Sequence, residues 1–233
     1  MEVLRAEGLK KIYGTGAGKV EALRSIDLSI ESGEMVAVIG PSGSGKTTLL
    51  HALGGIQKPT KGRVLVEGKD IYSLSANRLA IFRRRQVGIV YQYYNLLPVL
   101  NVEENILMPV FLDGKPINQG RLEELLDILN IETKRNLFPS ELSGGQLQRT
   151  AIARALINSP TILLADEPTG NLDSKNSQQI MELFKKTNRK YGQTLIIITH
   201  DEDIALQADR IITMDDGVII SDSLVTGKGK IYK

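Results

Sequence analysis

The stretch from Gly40 to Thr48 has the residue types that bind a phosphate group. It matches the phosphate-loop pattern G-x-x-x-x-G-K-[ST] at every required position. Glycines let a backbone fold around an anion, so that successive N–H groups point at its oxygens. The ammonium of Lys46 would neutralise the outer phosphates, and the hydroxyl of Thr47 would ligate Mg²⁺. The sequence therefore predicts a nucleoside triphosphate site formed by Gly40, Pro41, Ser42, Gly43, Ser44, Gly45, Lys46, Thr47 and Thr48.

Two adjacent acids, Asp166 and Glu167, form a second candidate group. They follow the apolar run Ile162-Leu163-Leu164-Ala165, which is typical of a buried strand. Neighbouring carboxylates can take different tasks in phosphoryl transfer. Asp166 would hold the Mg²⁺ through water, and Glu167 would polarise the water that attacks the terminal phosphate.

A third motif, Leu142-Ser143-Gly144-Gly145-Gln146, lies far along the chain from the phosphate loop. It places a hydroxyl and two glycines at the start of a helix whose body is Ala151 to Leu156. A helix start with exposed N–H groups is a second potential anion site.

These three motifs, in this order, resemble those of the ATPase subunits of ATP-binding-cassette (ABC) transporters. Leu142 to Gln146 matches the most diagnostic motif of that family, and the resemblance covers essentially the whole chain. It implies that Tyr13 stacks on adenine and that Gln92 meets Mg²⁺ and the attacking water. It also implies that His200, which follows an apolar run, contacts the terminal phosphate. The catalytic group would then be Lys46, Gln92, Glu167 and His200, and the metal-binding group Thr47, Gln92 and Asp166.

The resemblance also implies a site shared between two subunits. In the family two copies pack head to tail, so Ser143, Gly144, Gly145 and Gln146 of one copy cap the ATP that the other copy's phosphate loop holds. The segment Asn171-Leu172-Asp173 matches the loop that crosses to the other subunit, with Asp173 at the nucleotide. We therefore expect a homodimer.

Small departures from the residues most frequent in the family indicate one branch of it. Leu147 stands where glutamine is frequent, and the crossing loop reads Asn-Leu-Asp instead of Ala-Leu-Asp. Together with the segments after Gln92 and Glu167, these features resemble the lipoprotein-releasing, macrolide-efflux and antimicrobial-peptide-resistance systems. The implied partner is a membrane permease, with this chain on the cytoplasmic face of the membrane.

Alternation of strand and helix patterns predicts the elements that position these groups. Met35 to Ile39 and Thr194 to Thr199 have the apolar character of buried strands, and Ser174 to Tyr191 has a helical apolar face that ends at Gly192. Strands separated by helices indicate an α/β fold with a parallel sheet. With the resemblance, we expect a P-loop NTPase with a RecA-like core. It would carry an N-terminal antiparallel β subdomain and an inserted α-helical subdomain at roughly 93–159, all in one domain of residues 1–233.

Composition excludes several other classes. The chain has 233 residues with 42% apolar and 24% charged side chains, as in an ordinary globular protein. It has no cysteine and two histidines, so a cysteine- or histidine-based zinc site is not expected. The net charge of +2 argues against nucleic acid as the main partner. The cluster Arg83-Arg84-Arg85 is expected to be a solvated helix end.

Two alternatives differ in class from a transporter ATPase. One is a soluble ABC-type ATPase that acts on nucleic acid or ribosomes, although the chain has one cassette and no long heptad segment. The other is a nucleotide sensor without turnover, which would lack the catalytic acid that Glu167 supplies.

Overall fold

The structure is a computed structural model that describes residues 1–226 and 230–232. Its strands are β1 (Glu2–Tyr13), β2 (Val20–Glu31), β3 (Met35–Ile39), β4 (Lys61–Val66), β5 (Lys69–Asp70), β6 (Val87–Tyr91), β7 (Ile162–Asp166), β8 (Thr194–Ile198), β9 (Arg210–Asp215), β10 (Val218–Thr226) and β11 (Lys230–Tyr232). Its helices are α1 (Lys46–Leu53), α2 (Ala76–Gln86), α3 (Val102–Asp113), α4 (Gln119–Ile128), α5 (Gly144–Leu156), α6 (Ser174–Tyr191) and α7 (Glu202–Ala205).

Residue contacts divide the chain into two compact units. The first contains Met1–Arg83 and Thr194–Lys233, and the second contains Arg84–Gln193. The stretch 93–159 lies inside the second unit, and its described residues form helices and turns without a strand, as the sequence predicts. No described helix combines the length and the apolar composition that spanning a bilayer requires.

The N-terminal part of the first unit is an antiparallel sheet with the strand order β2-β1-β4-β5. The two long strands alternate buried apolar and exposed polar side chains, so one face of the sheet packs on the core. Leu4, Leu9 and Leu23 on that face are fully buried. Loose alternation of apolar and polar residues from Val3 to Ile12 and from Ala22 to Ile30, around the glycine-rich turn at Gly14 to Gly18, predicts antiparallel strands, and the pairing of β1 with β2 confirms them.

The rest of the first unit is built around β3. This strand pairs in parallel with β8 on one side and with β9 on the other. All five residues of β8 and the first four of β3 are buried, which explains their continuous apolar sequence. The hairpin that joins β9 to β10 turns at Asp216 and Gly217, whose φ angles of 41° and 78° fit a tight hairpin turn.

The second unit combines two parallel strands with four helices. Strand β6 pairs with β7 from Val87 to Tyr91. Helix α5 packs against α3 and β6, and its apolar face is fully buried. The other core side chains of this unit come from α3, α4 and α6, and they include Ile106, Leu122, Leu125 and Phe184.

The arginine cluster at the end of α2 is anchored, which corrects the expectation of a solvated helix end. Arg83 donates to the carbonyl of Gly55. Arg84 and Arg85 pair with the carboxylate of Asp113, whose side chain is 1% exposed and also pairs with Lys115. The sequence expectation failed because the carboxylate that attracts two of these arginines lies far along the chain, at the end of α3.

Candidate active site

The phosphate loop connects β3 to α1. Gly40, Gly43 and Gly45 have φ angles of 146°, 81° and 98°, which side chains with a Cβ rarely adopt. A Cβ on Gly40 would lie 2.0 Å from the carbonyl oxygen of Met214, and one on Gly45 would lie 2.3 Å from that of Ala22. Glycine is therefore required at these two positions because two strands approach the loop closely.

Lys46 folds back into this loop. Its ammonium donates to the carbonyl oxygens of Gly40 (2.8 Å) and Pro41 (2.7 Å), and its side chain is buried. The ammonium therefore lies at the start of α1, where the helix dipole also favours an anion. Thr47 follows in the first turn of α1 and is exposed. Oxygen donors such as its hydroxyl suit Mg²⁺, which proteins hold through few side chains together with phosphate oxygens.

Tyr13 lies beside the first turns of α1. Its ring is partly exposed, and its hydroxyl donates to the side-chain oxygen of Gln57 and lies 3.5 Å from the hydroxyl of Thr48. Lys11 places its ammonium 5.3 Å from the ring centre. The structure thus places an aromatic side chain next to the phosphate loop, and its stacking on adenine stays a prediction.

His200 follows β8 at the same edge of the first unit. Ile198 pairs with Val38, and the N–H of Thr199 donates to the carbonyl of Val38 (3.2 Å). Since parallel strands end at the same edge of a sheet, His200 and the loop that starts at Gly40 both leave this edge. Tyr13, the phosphate loop and His200 are therefore gathered in the first unit.

The second unit gathers Gln92, Asp166 and Glu167. Tyr91 and Asp166 are paired at the ends of β6 and β7, so Gln92 and Glu167 begin the two adjoining loops. Glu167 has a φ angle of 47°, and its carbonyl accepts from the N–H of Gly170 (3.1 Å). A Cβ on Gly170 would lie 2.8 Å from the amide nitrogen of Gln92. The two loops are therefore packed together, with Gln92 against the turn that starts at Glu167.

Ser143 is the N-cap of α5. Its hydroxyl accepts from the N–H of Gln146, and the side chain of Gln146 accepts from the N–H of Ser143 (2.9 Å). This reciprocal pair is a capping box. An open cleft of about 240 Å³ lies beside this helix start and is lined by Asn130, Ser143, Gly145, Gln146, Arg149 and Asn176. The helix start that the sequence predicts as an anion site is thus accessible.

Asp173 is the N-cap of α6. Its carboxylate accepts from the backbone N–H of Asn176 (2.8 Å) and from its side-chain amide (2.7 Å). The backbone hydrogen bond, followed by the side-chain one, lowers the pKa of Asp173. Asp173 is therefore ionised at neutral pH, and in this chain it stabilises the helix start that follows the segment Asn171–Asp173.

Sequence reasoning missed one buried contact of this site. The side chain of Gln148 is fully buried in α5 and donates to the carbonyl of Pro168 (2.7 Å), directly after Glu167. A glutamine on the buried face of a predicted helix is a signal that could have indicated such a partner, because buried amides are hydrogen-bonded.

The strand, glycine loop and helix start around Lys46 define a P-loop nucleotide-binding protein. The comparisons with known proteins narrow this class. A family model described as "ABC transporter" matches residues 23–170. The lipoprotein-releasing system ATP-binding protein LolD of Bacteroides fragilis is 41% identical over 94% of this chain and 100% of its own length. The macrolide export ATP-binding/permease protein MacB of Bdellovibrio bacteriovorus is 44% identical over 93% of this chain, which spans 33% of that longer protein.

Solved structures agree with this assignment. The dimeric structure of MJ0796, described as a bacterial ABC transporter cassette, has a TM-score of 0.88 at 39% identity and covers 96% of this chain and 99% of its own. A second MJ0796 dimer of the same similarity is described as a post-hydrolysis state with ADP and Pi bound. This chain belongs to the ABC transporter family, as an ATPase cassette with the α/β fold that the sequence predicts.

Proposed function

We propose that this chain is the ATP-hydrolysing subunit of a membrane transport system, that it works as a head-to-tail homodimer, and that it drives a permease from the cytoplasmic face. The observation that carries the proposal is that one chain contains both a phosphate loop and a second accessible helix start, at Ser143. In the proposed dimer Ser143 to Gln146 of one copy cap the triphosphate that the phosphate loop of the other copy holds.

Each residue of the proposed site has a task in the chemistry. Lys46 and His200 bind the outer phosphates, and Tyr13 stacks on the base. Glu167 accepts a proton from the attacking water, which Gln92 orients. Thr47, Gln92 and Asp166 would hold Mg²⁺, which supplies charge neutralisation on the phosphates when bound. Catalysis of this kind depends on positioning and charge, without a covalent intermediate.

Exchange of Glu167 for glutamine tests the hydrolytic part. Glu167→Gln removes the proton acceptor but keeps the shape of the side chain, so we expect turnover to fall by about 10²- to 10⁴-fold while ATP binding persists. The variant should also accumulate as a dimer with ATP in size-exclusion chromatography. Glu182→Gln, at an exposed acid on α6, is the matched control. Near-normal hydrolysis by Glu167→Gln would remove Glu167 from this role.

Exposed apolar side chains after Gln92 support the proposed permease contact. Tyr93 is 73% exposed, Val99 is 77% exposed, and Leu97 is also exposed. Such side chains beside a catalytic loop suit a partner that senses the nucleotide state. We therefore place the permease contact on Tyr93, Leu97 and Val99.

A coupling assay tests this contact. In a complex co-purified with its permease, Tyr93→Ser with Val99→Ser should abolish the stimulation of ATPase activity by the permease, while the isolated chain keeps its activity. Ile220→Ser, at another exposed apolar residue, is the control. Unchanged stimulation would contradict the placement, and ATPase activity that RNA stimulates without a permease would favour the soluble alternative.

A further inference from the structure

Two residues just after Gln92 have an unfavourable backbone conformation. Tyr94 and Asn95 have φ angles of 61° and 49°, in the left-handed region that residues with a Cβ avoid. Local hydrogen bonds join the N–H of Tyr94 to the carbonyl of Tyr91 and that of Asn95 to the carbonyl of Tyr93. Consecutive left-handed residues persist only where their surroundings hold them.

The guanidinium of Arg154 holds both of these residues. One of its nitrogens donates to the carbonyl of Tyr94 (2.7 Å) and the other donates to the carbonyl of Asn95. Burial lowers the pKa of Arg154, which reflects a guanidinium largely removed from water. A planar guanidinium binds two acceptors through two nitrogens at a fixed spacing, whereas a lysine has one nitrogen on a flexible stem.

Arg154 lies in the last turn of α5, the helix that begins at Gly144. Tyr94 also reaches the other end of this helix, since a Cβ on Gly144 would lie 3.1 Å from the Tyr94 hydroxyl. The backbone of Tyr94 is therefore bonded to a side chain from the last turn of α5, and its hydroxyl lies near the start of the same helix. A helix of this length is a rigid connection between the two ends.

We propose that Arg154 is a positioning residue that fixes the Gln92 loop to α5, so that movement of the helix start at Ser143 when ATP binds is passed to Gln92. This role rests on the proposed function, in which ATP binding moves the helix start at Ser143. The mechanical link itself depends only on contacts within the second unit.

The mechanical link can be measured without any turnover. The chain contains no tryptophan, so Tyr93→Trp places a single reporter beside the strained turn. In that background Arg154→Lys should lower the fluorescence anisotropy of the tryptophan, because the lysine lacks the second, rigidly spaced donor nitrogen of the guanidinium. In the chain without the reporter, Arg154→Lys should lower kcat about tenfold and change the KM for ATP by less than about twofold, as expected for a residue that positions a catalytic group.

Glycine substitution separates positioning from general stability. Asn95→Gly removes the steric cost of the left-handed conformation, so it should restore much of the anisotropy and kcat lost in Arg154→Lys. Ser159→Gly is the matched control, because Ser159 has a similar φ of 50° outside the Gln92 loop. Rescue by Asn95→Gly and not by Ser159→Gly supports the proposal.

Three results would overturn it. The first is an Arg154→Lys variant with unchanged anisotropy and kcat, and the second is equal rescue by both glycine variants. If Arg154→Lys does not fold, two further variants are assayed by circular dichroism. They are Arg154→Gln and the double variant that combines Arg154→Lys with Asn95→Gly. If the double variant folds and both single variants do not, that folding is itself the rescue. Failure of all three variants to fold is the third result that would overturn the proposal. If the wild type does not hydrolyse ATP but the Arg154 variants show the expected anisotropy changes, the proposed function is contradicted and the mechanical link is not.

Discussion

Exchange of Gly40 for alanine should destabilise the protein far more than the same exchange at Gly43. Both residues lie in the phosphate loop and both have positive φ angles. They differ in their surroundings, because a Cβ on Gly40 would lie 2.0 Å from the carbonyl oxygen of Met214, whereas one on Gly43 has no heavy atom within 4 Å. Both exchanges therefore carry a cost of backbone conformation, with φ angles of 146° and 81°, and only Gly40→Ala adds a steric clash.

The magnitudes follow from this difference. For Gly43→Ala the positive φ alone should cost about 1–2 kcal/mol. For Gly40→Ala the carbonyl of Met214 must move by about 1.4 Å to reach ordinary contact at 3.4 Å, which disturbs the pairing of Ile39 with Thr213. We expect a total of about 3–5 kcal/mol, the range of severe core changes. In a domain of this size each kcal/mol lowers Tm by about 2–4 °C.

Thermal unfolding by circular dichroism, without nucleotide, measures both variants. We expect Tm to fall by about 2–8 °C for Gly43→Ala and by about 6–20 °C for Gly40→Ala. Nucleotide is omitted so that weaker binding does not contribute to the shift. Equal losses of Tm in the two variants would refute the argument from the Met214 carbonyl.

Three further predictions concern other contacts. Tyr13→Ala should raise the KM for ATP about 2- to 10-fold through the loss of one stacking contact, whereas Tyr13→Phe should leave it nearly unchanged. Asp113→Asn should lower the urea midpoint of unfolding, because Arg84, Arg85 and Lys115 lose their common carboxylate, and an unchanged midpoint would contradict this. Hydrogen bonds from Lys190 and Arg121 lower the pKa of Glu124 from 4.5 to about 2. The stabilisation that the Glu124 carboxylate provides is therefore present above pH 4.5 and is lost as the pH falls towards 2. The Tm difference between wild type and Glu124→Gln should accordingly shrink over that range, and a constant difference in calorimetry would contradict it.

Elements with strong local signals could be predicted from the sequence. The helix α6 runs from Ser174 to Tyr191 as expected, and Gly192 ends it with a φ of 63°. The Asp216-Gly217 pair between the apolar segments of Arg210 to Ile220 predicts a hairpin, and β9 and β10 form it. These features are local, since a helical apolar face, a glycine stop and a tight turn each depend on neighbouring residues.

Contacts between distant residues could not be predicted in this way. Arg154 binds main-chain carbonyls some 60 positions earlier in the chain, and every residue has such a carbonyl. The partners of Asp113 could not be predicted either, because the sequence contains several arginines and lysines that could have paired with this carboxylate. The tasks of Gln92 and His200 came only from family resemblance and stay predictions, since they concern a nucleotide and a second subunit.

The position of β3 also bears on how the protein is made. Both strands that pair with it, β8 and β9, come after residue 193, so a nascent chain carries the phosphate-loop sequence long before the strands that hold it. Roughly 150 residues separate β3 from β8, which corresponds to roughly 10–30 s of synthesis at ordinary ribosomal rates. ATP therefore cannot stabilise this unit on the ribosome until translation is nearly complete, and chains cut short before Thr194 should be substrates for chaperones and proteases.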